Sequence, residues 1–122
     1  MRTVAEVPRG DPVAYGRYIA GPLAHCIECH SSPGPDGTPD VVGRLGGGGM
    51  KFPGPWGDSV ASNITPTGIA HYSDAQLKTI ITTGVRPDGS RLKPPMGVPY
   101  YAHMSAADQT ALVAYLRTLP RK

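Results

Sequence analysis

Cys26 and Cys29 are the two cysteines of this 122-residue chain, and they stand in the run His25-Cys26-Ile27-Glu28-Cys29-His30. Three chemistries use a pair of thiols at this spacing. A structural zinc site needs about four nitrogen or sulfur ligands. Cys26, Cys29 and His30 supply three, and His30 directly follows Cys29, which makes a tetrahedron hard to close. A dithiol redox pair opens a helix after a strand, but no Val- or Ile-rich run precedes Cys26. The third reading, C-x-x-C-H, is an attachment site for a c-type haem. Residues three apart on a helical turn face one way. Both thiols can therefore add to the vinyl groups along one edge of a porphyrin, while His30 turns beneath the ring and offers an imidazole nitrogen to iron.

An iron held by His30 has a second axial position, which is filled by His or Met or left open. The candidates are Met50, Met96, Met104, His25, His71 and His103. Met96 is the best placed, on a stiff loop among Pro94, Pro95 and Pro99, 66 residues after His30. That length lets the chain pass round a flat group and return on its far face. Met104 precedes a helix cap and serves equally well as core filler. His25 adjoins Cys26 on the same turn and cannot easily reach the far face. His71 and His103 read as surface or hydrogen-bonded histidines.

These residues need elements to hold them. Residues 1–10 carry no periodic apolar signal and are expected to form a loose arm, with residues 11–122 as a single domain. Asp11-Pro12 reads as a helix start. Val13, Gly16, Ile19, Ala20 and Leu23 follow at helical spacing, and Gly21-Pro22 is expected to break that helix. Ser73-Asp74-Ala75-Gln76 is a capping box. It predicts a helix over 74–83 with Leu77, Ile80 and Ile81 inward and Gly84 as its stop. Ser105 caps a last helix bearing Leu112, Leu116 and Leu119, with Val113 and Tyr115 beside them, Arg117 near its end and Pro120 as the stop.

Between these helices, residues 31–57 hold nine Gly and five Pro. Regular helix or sheet is not expected there. A phosphate-binding loop is excluded because Met50 precedes Lys51 and Phe52 follows it, where G-x-x-x-x-G-K-[ST] is required. A plain linker would not carry Phe52 and Trp56. A loop wrapped round a flat apolar group accounts for both the glycines and the aromatics. Arg86-Pro87-Asp88-Gly89-Ser90 is turn chemistry, and residues 94–101 read as extended. No strand pairs are expected, so the class is all-α with much loop.

Composition sets outer bounds. The chain is 39% hydrophobic with 16 Gly and 14 Pro, a modest apolar supply for a core. Its mean hydropathy is −0.22. No run approaches the ~18 apolar residues of a membrane-spanning helix. The formal charge of +3 comes without a lysine-rich run, so nucleic-acid binding has no support.

Taken together, Cys26-x-x-Cys29-His30, Pro95-Met96 and the ending Ala114-Tyr115-Leu116-Arg117-Thr118-Leu119-Pro120 resemble class I c-type cytochromes. Gly16-Arg17-Tyr18-Ile19-Ala20, Ser62-Asn63-Ile64-Thr65-Pro66 and Gly84-Val85-Arg86-Pro87-Asp88-Gly89 bring the likeness closer to haem domains of cytochrome c subunits of bacterial periplasmic dehydrogenases of the alcohol and gluconate type. The resemblance covers residues 13–120. Gly21-Pro22 and Gly97 depart from the family's usual pattern.

The resemblance implies an all-α class I cytochrome c fold, with a few short helices and long Gly/Pro-rich loops round one covalently bound haem c. The first and last helices would cross with Gly16 against Tyr115 or Leu116. Cys26 and Cys29 would carry the thioethers, with His30 and Met96 as axial ligands of the iron. His30 would donate its other ring N–H to a carbonyl near Pro33, Pro35 or Pro39. Trp56 and Asn63 are candidate haem-pocket or propionate contacts, with Arg91 and Tyr100 behind them. Arg86, Arg91 and Lys93 either ring a docking patch or form an ordinary solvated loop.

The implied function is one-electron transfer, with no catalysis by this chain. The donor would be a periplasmic dehydrogenase. The acceptor would be an oxidase, a quinone-linked complex or another cytochrome. A periplasmic location is expected, with a signal or anchor absent from these residues and with membrane contact only through such an anchor or a partner subunit. The alternative is a haem-based sensor or ligand-binding cytochrome with a weak or absent sixth ligand.

Overall fold

The computed structural model describes residues 10–55, 57, 59–92, 96 and 98–122. Asp11 opens α1 (Pro12–Tyr18) by accepting from the Ala14 N–H at 3.2 Å, with Pro12 in the first turn, where no N–H is needed. The expected break at Gly21-Pro22 does not occur. The helix widens instead into a π turn (Ile19–Leu23), closed by the Ala24 N–H on the Ile19 carbonyl at 2.8 Å. A proline ring clashes with the carbonyl four residues back in a tight helix, and the wider turn relieves that clash. The widening also shifts the helical phase, so Leu23 leaves the apolar stripe and is 55% exposed. His25, at φ 62°, then redirects the chain into α2 (Cys26–His30).

The Gly/Pro-rich stretch is more ordered than its composition suggests. Short backbone bonds fold residues 32–44 on themselves: Asp40 N–H to Ser32 O at 2.9 Å, and Ser32 N–H to Arg44 O at 3.2 Å. The expectation of no strand pairs is corrected by β1 (Lys51–Phe52) and β2 (Ser59–Val60), a two-residue antiparallel ladder pairing Lys51 with Val60 and Phe52 with Ser59. It forms where the loop turns back and each backbone group needs a partner.

Thr65-Pro66 starts α3 (Pro66–Ile69). Then α4 (Asp74–Thr83) shows both bonds of its capping box and ends at Gly84, φ 73°. The segment expected to be extended contains a helical turn, α5 (Val98–Tyr101). Pro99 is compatible with it because the ring presets a helical φ and the first turn requires no N–H. Ser105 caps α6 (Ala106–Leu116) by accepting from the Asp108 N–H at 3.1 Å. None of the described helices is long and apolar enough to cross a membrane. The expected arm, residues 1–10, lies outside the described residues apart from Gly10.

The core lies where α1 and the π turn meet α6. Ile19, Ala20, Leu112, Val113, Leu116 and Leu119 are all at most 4% exposed. The close approach is set by Gly16. A Cβ there would collide with the Ala111 carbonyl oxygen and come within 2.7 Å of the Tyr115 Cβ. The expected partner Tyr115 is thus correct, and Ala111 takes the place of Leu116.

Arg117 does more than face a helix end. Its guanidinium reaches the Tyr72 carbonyl at 2.7 Å, the Ile69 carbonyl at 3.1 Å and Asp74 Oδ1 at 2.9 Å, tying α6 to the α3–α4 junction.

Gly16→Ala is expected to destabilise the fold by about 1–3 kcal/mol through overpacking at this crossing, read as a lowered denaturant midpoint with an unchanged slope.

Candidate functional site

One side of this core is hollow. A cavity of about 720 Å³ opens between α2, the 59–64 segment, α4, the 86–92 turn and α6. That is within the ~300–1,000 Å³ of sites that hold small molecules and cofactors. Cys26, Cys29, His30 and Met96 all border it. Its walls are mainly apolar, with Ile64, Leu77, Ile80, Leu112 and Leu116 contributing. Leu77, Leu112 and Leu116 belong both to the packed core and to this wall.

The α2 turn presents both thiols and the imidazole from one wall. Burial pushes the Cys26 thiol up to about 11, and burial raises Cys29 as well, with the Glu28 charge adding to it. A redox dithiol works through a lowered thiol pKa, so the dithiol reading loses its chemistry. The zinc reading fares no better: among the described residues, no three His, Cys, Asp or Glu side chains converge as metal ligands.

His30 is tightly defined. Its Nδ1 lies 2.8 Å from the Ser62 carbonyl oxygen. A carbonyl only accepts, so Nδ1 carries the proton and Nε2 keeps its lone pair. Burial lowers the His30 pKa, and the bond to Ser62 works against that shift. The nitrogen left open to a ligand is therefore Nε2. The acceptor is not near Pro33, Pro35 or Pro39 as expected, but 32 residues along, where the returning loop crosses beneath the ring. A side chain–backbone bond at that separation has no local signal in sequence.

The remaining candidates divide. Asn63 borders the cavity, but its Oδ1 is taken by the Thr65 N–H at 2.9 Å and the Thr65 hydroxyl at 2.6 Å, which leaves only its amide N–H groups for a ligand. Trp56 lies outside the described residues, as do Lys93, Pro94, Pro95 and Gly97. Phe52 reaches the wall from β1, as a wrapping loop requires. Arg86 and Arg91 border the cavity from either end of the 86–90 turn, which the Arg86 N–H closes on Ser90 O at 2.8 Å. Tyr100 is 83% exposed and turned away.

Tyr101, which sequence reasoning passed over, lines the cavity and donates its hydroxyl to the Ala24 carbonyl at 3.0 Å. It thereby ties the helical turn after Met96 to the residues before Cys26. Met104 also borders the cavity and stays a core-facing neighbour.

The residues present fit a haem of the c type. Two thiols and an imidazole lie on one turn, a thioether lies on a separate segment, and all four border a large apolar space with two guanidiniums among its polar groups. This is the architecture of a protein that carries a covalently bound tetrapyrrole. The chain belongs to the cytochrome c family, whose sequence pattern matches residues 13–120. Membership brings a covalently bound haem c and makes this domain an electron-transfer module rather than an enzyme.

More particularly, it is similar to the cytochrome c subunit of the quinone alcohol dehydrogenase of Gluconacetobacter polyoxogenes, at 33% identity over 117 residues, 92% of this chain and 23% of that subunit. The gluconate 2-dehydrogenase cytochrome c subunit of Pantoea cypripedii is 36% identical over 84% of this chain and 22% of its own length. The fructose dehydrogenase cytochrome subunit of Gluconobacter japonicus is 32% identical over 87% of this chain and 21% of its own length. The chain thus spans less than a quarter of the length of these relatives.

Burial holds the Tyr101 phenol up to about 12, against 10.0 for a free tyrosine. Between those values the unfolded phenol ionises and the folded one resists. Its contribution is intact below pH 10 and is lost as pH rises through the folded pKa. Tyr101→Phe is expected to remove this share of the alkaline loss of stability. Denaturant midpoints on either side of that window check it.

Proposed function

We propose that the chain is a periplasmic one-electron carrier with a single His/Met-ligated haem c, taking electrons from a dehydrogenase and passing them towards a respiratory acceptor. The observation that carries this reading is the convergence of Cys26, Cys29, His30 and Met96 on one apolar cavity. The count of one haem follows from the single C-x-x-C-H of the sequence. The dehydrogenase donor is supported by the relatives, which are named as cytochrome subunits of alcohol, gluconate and fructose dehydrogenases. The acceptor class is an oxidase, a quinone-linked complex or another cytochrome. The periplasm is supported by the chemistry of maturation, because bacteria attach haem to cysteine thiols outside the inner membrane.

The haem, when bound, supplies the iron(III)/iron(II) couple. Cys26 and Cys29 would hold it as thioethers. His30 would offer a neutral nitrogen, since the Ser62 carbonyl holds the ring proton on Nδ1. Met96 would offer a neutral sulfur from a separate segment of the cavity wall. Two uncharged ligands in a dry, apolar pocket favour the lower-charged oxidation state, and methionine in place of a second histidine raises the potential. Arg86 and Arg91, with Trp56 and the Asn63 amide, are the groups proposed to meet the propionates. Ile64, Leu77, Ile80 and Leu116 keep water from the ring.

Two experiments test this. Met96→Ala is expected to abolish the long-wavelength sulfur-to-iron charge-transfer band of the ferric protein and to lower the potential, while Met104→Ala spares both. The reverse pattern would move the ligand role to Met104. Cys29→Ser is expected to leave at most one thioether and to cut haem retention. An unchanged holoprotein yield after denaturing electrophoresis with haem staining would contradict covalent attachment through this turn.

A further inference from the structure

His30 is held at two points by chain segments that touch each other. Its carbonyl accepts from the Gly48 N–H at 2.5 Å. Its Nδ1–H donates to the Ser62 carbonyl at 2.8 Å. The third side of this ring is a contact between Gly48 and the Ser62–Asn63 peptide. A Cβ on Gly48 would lie 2.6 Å from both the Ser62 carbonyl carbon and the Asn63 nitrogen, and 2.7 Å from the Ala61 oxygen. Gly48 is also at φ +75°, which side-chain-bearing residues rarely adopt.

From the other direction, Gly68 leaves no room beside Asn63. A Cβ there would collide with the Asn63 oxygen and reach 2.8 Å from its carbonyl carbon. Neighbouring bonds from Gly49 N–H to Ala61 O at 2.8 Å and from Ala61 N–H to Met50 O at 2.9 Å keep the two segments in register. The backbone that carries the acceptor of the His30 proton thus lies tight against two glycines, Gly48 at the Ser62–Asn63 peptide and Gly68 at the Asn63 carbonyl.

We propose that Gly48 is the positioning residue for His30: by fitting bare against the Ser62–Asn63 peptide while bonding the His30 carbonyl, it sets the orientation and basicity of the imidazole. Strong donation from Nδ1–H makes the ring a better electron donor to a metal and stabilises its higher oxidation state. Moving the Ser62 carbonyl weakens that donation and raises the potential. The inference rests on His30 being the ligand of the haem iron.

The test uses the haem-loaded protein and three glycine variants. Gly46 is the control. It shares φ +75° with Gly48, but a Cβ there meets the Leu119 Cδ1 at 2.9 Å and the Thr65 Cγ2 at 3.2 Å, side-chain atoms rather than the Ser62 peptide. Gly48→Ala is expected to speed solvent exchange of the His30 Nδ1–H in the ferrous protein by about tenfold, the equivalent of roughly one lost hydrogen bond, and to raise the midpoint potential. Gly68→Ala is expected to shift both readouts in the same directions without φ strain. Gly46→Ala is expected to lower the thermal midpoint and leave both unchanged.

In the unaltered protein, the Gly48 amide and the His30 Nδ1–H are expected to exchange with opening equilibria within about threefold of each other, as members of one cooperative unit. That measurement decides the matter if the variants do not fold. Unrelated exchange in the unaltered protein overturns the proposal. So does a Gly48→Ala and Gly68→Ala pair that behaves like Gly46→Ala. If His30 ring signals show no shift between the ferric and ferrous states, the ligand assignment itself falls, a result separate from either of these.

Discussion

Everything in this structure answers to an apolar cavity of about 720 Å³ that the polypeptide surrounds, bordered by Leu77 and Ile80 of α4 and by Leu112 and Leu116 of α6. Burying apolar surface against a hydrophobic group is worth about 25 cal/mol for every Å² covered. A flat hydrophobic group is the natural occupant. The covalently bound haem c of the family is as permanent a part of the core as any side chain. The glycine and proline content then makes sense: a chain that encircles a disc needs tight corners and bare backbone more than it needs further helix.

Two supports define the walls. On one side, α1 and α6 cross at Gly16 and bury the bulk of the ordinary core. On the other, the long loop doubles back under α2, so that residues 46–49 and 61–63 run beside His30. On the far wall, the Val98 N–H bonds the Met96 carbonyl at 2.9 Å, the Leu92 N–H bonds Gly84 O at 2.7 Å, and the Tyr101 hydroxyl bonds the Ala24 carbonyl.

The parts legible in sequence are those governed by neighbours along the chain. The capping box at Ser73, the stop at Gly84, the cap at Ser105 and the Leu112–Leu116–Leu119 stripe depend on residues within a turn or two, and all are found where expected. The C-x-x-C-H turn belongs with them. What escaped detection depends on partners far away or on backbone alone. The Ser62 acceptor has no side-chain signature. The Arg117 fork joins residues 43 or more apart. The β1–β2 pair is too short to show alternation. Pro22 signals a break only where the helix stays tight, and here the turn widens instead. Pro66 after Thr65 is a local helix-start signal, and α3 begins there.

The widened turn at Ile19–Leu23 has one more implication, for spacing along the chain. A π turn houses one residue more than an α turn. Deleting a single position there would restore ordinary winding, because the same turn closes with one residue fewer, and the chain downstream would keep nearly the same heading. Cys26 and Cys29 would still face the same wall. The segment therefore acts as a slack turn that absorbs the loss of one position, whereas the same loss inside α6 would rotate every later side chain by about 100°.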